Sequence, residues 1–346
     1  MKRIYSLDLL KLVFAFVIAF FHFGTDVAPG PTITVQIFFI ISGFFLGKKF
    51  YSRSHGDPEK RYSQWNYTVD HVKSIYPHYL LSLVVIFLYM LARSVLDFLG
   101  SPSFQKLSAI AVDCYNQIPD LLLLQSAYRF HESFNYPLWQ LSALVIAGYF
   151  VYGLLCHNEK LSRTMLFPAA ILMIQSLLNT GVDIWSNWGP FYLPLLRAFS
   201  PLCIGVLAYY FTTTPYYAMV KSKRVPFNLA VLLSLISIFC FGDRANIFLI
   251  TTVVLLWGCY DPHSWINALL NHKIFKHCGD LSYAVYLNHA LIARFLQARV
   301  FSRMPLPAWQ QNLIYFVLLL LFSIITTFLV NKWKGRSRHV PTHAKK

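Results

Sequence analysis

Ile4-Tyr-Ser-Leu-Asp8-Leu-Leu-Lys11-Leu-Val-Phe-Ala-Phe-Val-Ile-Ala-Phe-Phe-His22-Phe23 is the stretch that decides the fold. It is about 20 residues long, almost wholly apolar, and broken by three ionisable side chains. A run of that length matches the thickness of a bilayer's hydrocarbon core. It lacks a small-residue cleavage site, so it reads as a first membrane span and not as a cleaved leader. Working outward, the same pattern recurs along all 346 residues. Hydrophobic residues make up 56% of the chain and charged ones 13%, where a soluble globular protein carries about 25%. The apolar residues come in blocks, which excludes a soluble protein with a large core. Aromatic residues reach 17% and suit the membrane–water interface.

These blocks predict an all-α polytopic membrane protein of about ten transmembrane helices, near residues 5–23, 33–50, 77–99, 136–156, 165–180, 190–211, 226–242, 245–260, 281–300 and 311–331. Pro168, Pro190, Pro194 and Pro201 predict kinks or broken ends around the fifth and sixth. Asp120–Ser126 is apolar but too short to cross, and reads as interfacial or re-entrant. The net charge of +16 sets the orientation. With the N-terminus in the cytoplasm, the inner segments hold Lys2 and Arg3, the Lys48–Lys73 connection, the Lys221–Arg224 turn and the tail from Lys332. The outer ones hold only Lys106, Arg129, Arg244, Arg299 and Arg303. This asymmetry predicts both termini in the cytoplasm. The chain reads as one membrane-embedded domain over 1–346, with 332–346 a basic cytoplasmic tail. Without a basic soluble domain, nucleic acid is not an expected partner; membrane lipids are. Six cysteines without a CxxC pair predict neither a disulfide framework nor a metal site.

Ionisable groups inside spans are costly and point to function. Asp8 and Lys11 lie three residues apart, share a helix face and can pair. The bland reading of Lys11 is a snorkelling lysine, and of Asp8 a surface acid at the inner mouth. His22 follows Lys11 by eleven residues, close to three turns and about 16 Å, so both face the same side. Its bland reading is a histidine satisfied by a neighbouring helix. His289, within Gly279-Asp-Leu-Ser282-Tyr283-Ala-Val-Tyr286-Leu-Asn288-His289, is equally a site or helix-packing glue. Arg197 needs a carboxylate, carbonyls or an anionic ligand; Arg294 either does the same or snorkels outward. Arg93, near a span end, carries little weight. The set describes a buried polar path with a base and several cations. A histidine can take a hydroxyl proton during acyl transfer, and cations can hold an anionic donor such as an acyl-coenzyme A.

Several segments together resemble the acyltransferase-3 family. They are Arg3-Ile-Tyr-Ser-Leu-Asp8-Leu-Leu-Lys11 followed, after ten intervening residues, by His22-Phe, then Val35-Gln-Ile-Phe-Phe-Ile-Ile-Ser42-Gly43, Ser74-Ile-Tyr76-Pro77, Arg197 followed by Gly205, and Gly279 to His289. The resemblance implies a membrane O-acyltransferase in a bacterial plasma membrane. It would move an acetyl group from cytoplasmic acetyl-CoA, without a metal, to a hydroxyl of a cell-surface or lipid-linked glycan. It further implies a catalytic role for His22, with Lys11 as its partner cation and Asp8 the nearby acid. His289, Arg197, Tyr283, Ser282 and Trp139 would bind substrate. Two departures stand out. Lys11 occupies the position of the family's arginine and lacks its bidentate fork. Leu138-Trp139-Gln140-Leu-Ser142 carries no acid where many members have a glutamate, which resembles a branch lacking it. Direct transfer and a covalent acyl-histidine both fit. An organic-anion transporter and a non-catalytic scaffold of the same fold are the rival readings.

Overall fold

A computed structural model describes residues 3–54, 62–127, 133–180, 186–188, 191–241, 247–304 and 306–338. Pro190, Arg129, Arg244 and the tail beyond 338 lie outside the described residues. The described residues are helical apart from short connecting segments and a two-residue antiparallel ladder in which Asn187 pairs with Tyr192 and Trp188 with Phe191. The helices are α1 (Tyr5–Phe23), α2 (Pro31–Ser54), α3 (Gln64–Gly100), α4 (Phe104–Asn116), α5 (Ile118–Leu121), α6 (Trp139–Leu161), α7 (Phe167–Asn179), α8 (Leu193–Thr212), α9 (Pro215–Ser222), α10 (Arg224–Phe241), α11 (Ile247–Tyr260), α12 (Trp265–Leu270), α13 (Cys278–Phe295) and α14 (Ala308–Arg338).

Among the described residues, six stretches are long and apolar enough to cross a bilayer: Tyr5–Phe23, Pro31–Ser52, Gln64–Gly100, Tyr136–Leu177, Leu193–Thr212 and Ala308–Lys334. A seventh is added if α9 and α10, bent by 92°, count as one span. Each of the ten apolar blocks holds a helix, but the number that crosses is smaller by length and apolarity. The shortfall has physical causes. The fourth and fifth blocks join through non-helical backbone at Asn158 (φ −151, ψ 92) and a wide turn over Ser162–Leu166. α11 has only 14 residues. α13 gives up apolarity to Asp280, Ser282, Tyr283, Asn288 and His289. Pro168 and Pro194 sit at helix starts, where their missing N–H is harmless, and Pro201 lies inside α8.

Among the described residues, helix also extends into the connections around residues 49–76 and 100–135. α3 does not enter at Pro77, as the sequence suggests. It starts at Gln64, where the Ser63 hydroxyl accepts the Asn66 N–H at 3.1 Å, and runs for 37 residues, about 55 Å. Between α3 and α6 the chain forms α4, with Phe104, Leu107, Val112 and Tyr115 exposed, as on a helix lying in an interface. It then folds back. The Ser142 hydroxyl of α6 donates to the Leu123 carbonyl at 2.6 Å, and Asp120 and Ser126 are fully buried.

The packing is inverted relative to a soluble protein. Leu88, Leu99, Leu172, Ile250, Leu313 and Phe328 are exposed, while Asp8, Arg197, Asn288 and His289 are buried. Lipid replaces water outside, so apolar side chains lose nothing there and polar ones must find partners inside. Two helix pairs form the centre: α2 along α8, and α1 along α13. α2 and α8 meet backbone to backbone at Gly43 and Gly205. A Cβ on Gly43 would strike the Leu202 carbonyl, and one on Gly205 the Ile40 carbonyl. Gly43 and Gly205 therefore serve helix packing, the usual role of small residues in membranes.

Candidate active site

α1 and α13 run in the same direction, and polar clusters form where their two ends meet. At the N-terminal end, Asp8 is the hub. Its Oδ2 lies 2.5 Å from Arg3 Nε and its Oδ1 2.6 Å from Lys11 Nζ. Arg3 Nη2 also reaches Asp280 Oδ1 of α13 at 3.4 Å. The two acids and two cations surround a cavity of about 390 Å³, with Phe45 and Gly279 in its wall. Gly279 is needed there. A Cβ at that position would come within 2.5 Å of Asp8 Oδ1 and 2.9 Å of Arg3 Nη2, breaking the cluster. The i, i+3 pair expected between Asp8 and Lys11 is thus present, and Arg3 and Asp280 complete it.

At the other end, His22 Nδ1 lies 2.9 Å from His289 Nε2. The ring planes are 8° apart with centroids at 5.0 Å, so the bond runs close to the plane of both rings, along the nitrogen lone pairs. His289 Nδ1 lies 2.6 Å from the Tyr286 carbonyl oxygen. These contacts fix the tautomers of two neutral rings. A carbonyl only accepts, so His289 Nδ1 carries the proton and its Nε2 is the acceptor. His22 Nδ1 must then donate, which leaves the lone pair of His22 on Nε2. Among the described residues no hydrogen-bond partner is found for that nitrogen, and His22 is only half-buried while His289 is fully buried.

The pair is held from several sides. The Tyr315 hydroxyl of α14 lies 3.1 Å from the Ala19 carbonyl and 3.3 Å from that of His289. The Tyr286 hydroxyl donates to the Pro137 carbonyl, and Asn288 Nδ2 donates to Thr326 Oγ1 at 2.9 Å. The Tyr136 ring meets His22 edge-on with centroids at 5.1 Å. Such fixed contacts make a histidine's orientation a property of the scaffold.

The remaining expected site residues are distributed around this centre. Arg197 is 3% exposed, and its guanidinium stands 5.7 Å over the Trp139 ring. No acid or hydrogen-bond acceptor pairs with it among the described residues, so it is a buried cation faced by an aromatic ring. The hydroxyls of Ser282 and Tyr283 are engaged with the backbone, bonding the carbonyls of Gly279 at 2.8 Å and Ile75 at 3.2 Å. Gln140, next to Trp139 in the segment without a glutamate, is 5% exposed, and its Oε1 has no hydrogen-bond partner among the described residues.

Tyr136, the Tyr286 carbonyl and Asp280 carry no sequence signal that sets them apart. Arg3 reads as an ordinary topogenic charge. Arg294 stands out in the sequence, but its position 5.6 Å over the Tyr136 ring does not follow from it.

Apolar outer surfaces around buried polar side chains mark a multi-pass membrane protein. The acyltransferase-domain model of the acyltransferase-3 family matches residues 4–332, and the chain belongs to that family. It is thus a membrane acyltransferase. No curated protein and no solved structure matches it.

Proposed function

We propose that the chain transfers an acetyl group from cytoplasmic acetyl-CoA to a hydroxyl of a cell-surface or lipid-linked glycan, with His22 as general base. The observation that carries this reading is the chain from the Tyr286 carbonyl through His289 to His22, which leaves His22 Nε2 as the basic atom. In the reaction, the acceptor hydroxyl gives its proton to His22 Nε2 while its oxygen attacks the thioester carbonyl carbon. The carbon–sulfur bond breaks, and the departing thiolate takes the proton back from Nε2. Throughout, His22 Nδ1–H stays bonded to His289, which orients the ring and spreads the charge of the transient imidazolium.

The donor enters at the Arg3–Asp8–Lys11–Asp280 end, the cytoplasmic end on this reading, which the basic connections on that side support. Arg3 and Lys11 are already bonded to Asp8, so this mouth binds by hydrogen bonding and shape more than by spare charge. Lys48, held 5.0 Å over the Tyr260 ring one turn beyond Phe45, adds positive charge on that side for the nucleotide phosphates. Lys11 and His22 are about 16 Å apart along α1, comparable to a phosphopantetheine arm.

The test is transfer from labelled acetyl-CoA to glycan acceptors by purified protein. His22→Gln keeps volume and hydrogen bonding, and is expected to lower turnover by about 10²–10⁴-fold. Near-normal turnover by a stably folded variant would remove His22 from the chemistry. Uptake of label into proteoliposomes without transfer would favour an anion transporter instead.

A further inference from the structure

A second cavity, of about 860 Å³, opens at the C-terminal end of α13, away from the Arg3–Asp8–Lys11–Asp280 cluster. This volume lies within the range of small-molecule sites. Its wall is polar. Arg93 comes from the end of α3, Asp113 and Asn116 from α4, Ser133 from the segment before α6, Arg294 from the last turn of α13, and Gln297 from the wide turn after it.

Two routes connect this cavity to His22. Arg294 stands 5.6 Å over the Tyr136 ring, which in turn packs edge-on against His22. Gln297 Nε2 donates to the carbonyl of Phe23, the residue after His22, at 3.4 Å. The Tyr136 ring thus stands between the Arg294 side of the cavity and the His22 imidazole, and the Gln297 bond ties the cavity wall to the end of α1.

The charges in the wall are not settled by the protein. Among the described residues neither arginine has an ion pair; the hydrogen-bond contact of Arg294 is the Met90 sulfur at 4.0 Å, a weak acceptor. Asp113 faces the same cavity but lies within ion-pair distance of neither arginine. The wall thus carries two guanidinium groups and one carboxylate. Elsewhere along the same helix pair, Arg3 and Lys11 each have a carboxylate within 2.6 Å. Two planar forks facing one space suit a phosphate or carboxylate, which each fork can grip with paired N–H donors. Asp113, Asn116 and Ser133 supply the acceptors and donors that sugar hydroxyls need.

We infer that this cavity is the acceptor site, and that it takes a sugar bearing a phosphate or carboxylate, gripped by Arg93 and Arg294, with a neighbouring hydroxyl turned toward His22. The inference rests on the transfer reaction proposed above, but its test does not. Binding of N-acetylglucosamine 1-phosphate, glucuronic acid and N-acetylglucosamine is measured on the purified protein in phosphatidylcholine nanodiscs, without acetyl-CoA. The anionic sugars are expected to bind at least tenfold more tightly than the neutral one. Arg93→Gln/Arg294→Gln should abolish that preference. Arg93→Lys/Arg294→Lys should keep part of it, because charge remains while the forks are lost. Arg303→Gln, an exposed arginine outside the cavity wall, should leave it unchanged. Equal binding of all three sugars, or a preference that survives the double glutamine variant, would overturn the assignment. So would binding of none of them together with arginine-dependent retention of phosphatidylglycerol in discs that contain it, which would make the pair a lipid-headgroup site. If anionic sugars bind as expected but no acetyl transfer occurs, the transfer reading fails and the binding site stands.

Discussion

The two ends of the α1–α13 pair are built from similar residues in opposite states. At one end Arg3, Asp8, Lys11 and Asp280 neutralise one another, and Gly279 leaves them room. At the other, among the described residues, His22 Nε2 has no hydrogen-bond partner, and Arg93 and Arg294 face a cavity without a paired acid. In a low-dielectric interior, charges that satisfy each other form a clamp, and groups left unsatisfied are kept for a ligand. On the proposed function the first end is the donor entrance, its shape fixed by ion pairs. On the same proposal the second end is where acceptor binding and proton transfer take place.

The strongest way to break this contrast is to disturb the tautomers. Replacing His289 by Asn removes the acceptor that holds His22 Nδ1–H, and lets the His22 ring turn its proton toward the acceptor substrate. Turnover is expected to fall about 10–10²-fold, less than for losing the base itself. Because His289 acts through His22, the donor KM should stay near its normal value. A variant that loses donor affinity and turnover together would show that His289 only supports packing, as a residue 0% exposed can.

The next effect concerns the clamp. Asp8→Asn removes the carboxylate that separates Arg3 from Lys11. A charge-assisted hydrogen bond is worth about 1.5 kcal/mol or more, so a rise of about tenfold in donor KM is expected, with turnover little changed. Asp8→Asn combined with Lys11→Met takes away the stranded cation and should melt at a higher temperature than Asp8→Asn alone. Equal melting temperatures would mean that Lys11 turns to solvent once Asp8 is gone, and that no clamp exists.

How much of this was legible in the sequence follows from what each feature depends on. Composition and block length are one-dimensional properties, so membrane character and each apolar helix were readable. The Asp8–Lys11 pair was readable too, because an i, i+3 spacing fixes proximity on a helix. The number of crossings was not, since α13 trades apolarity for polar side chains and α6 joins α7 through a turn. Pro77 looked like a helix entry because proline favours the first turn, yet the Ser63 cap starts α3 earlier. His22 and His289 both stood out, but their bond joins residues 267 apart, and only the fit of α1 against α13 brings them to 2.9 Å. Arg93 looked unimportant at a span end. Its weight comes from Arg294, which reaches the same cavity from another helix.

The smallest effect is also the most discriminating for the entrance. Lys11 occupies the position where the family has arginine, and its ammonium spends its contact on Asp8 Oδ1 at 2.6 Å. Arg3 already holds Oδ2. In Lys11→Arg one N–H can keep the bond to Oδ1, and the rest of the fork points into the cavity shared with Phe45 and Gly279. The extra donors can reach a carbonyl or phosphate oxygen of the donor while the clamp stays intact. Donor KM should therefore fall by about two- to threefold, which corresponds to roughly half a kcal/mol, and turnover should not move. Lys11→Met tests the opposite direction, leaving Asp8 to Arg3 alone and raising KM. If both variants keep the normal donor KM, Lys11 contributes only to holding the helix end. The donor must then pass by another route, with Lys48 and the rest of the basic face as the next residues to test. If Lys11→Arg lowers turnover instead, the added bulk obstructs the path, which would place the moving arm of the donor directly against residue 11.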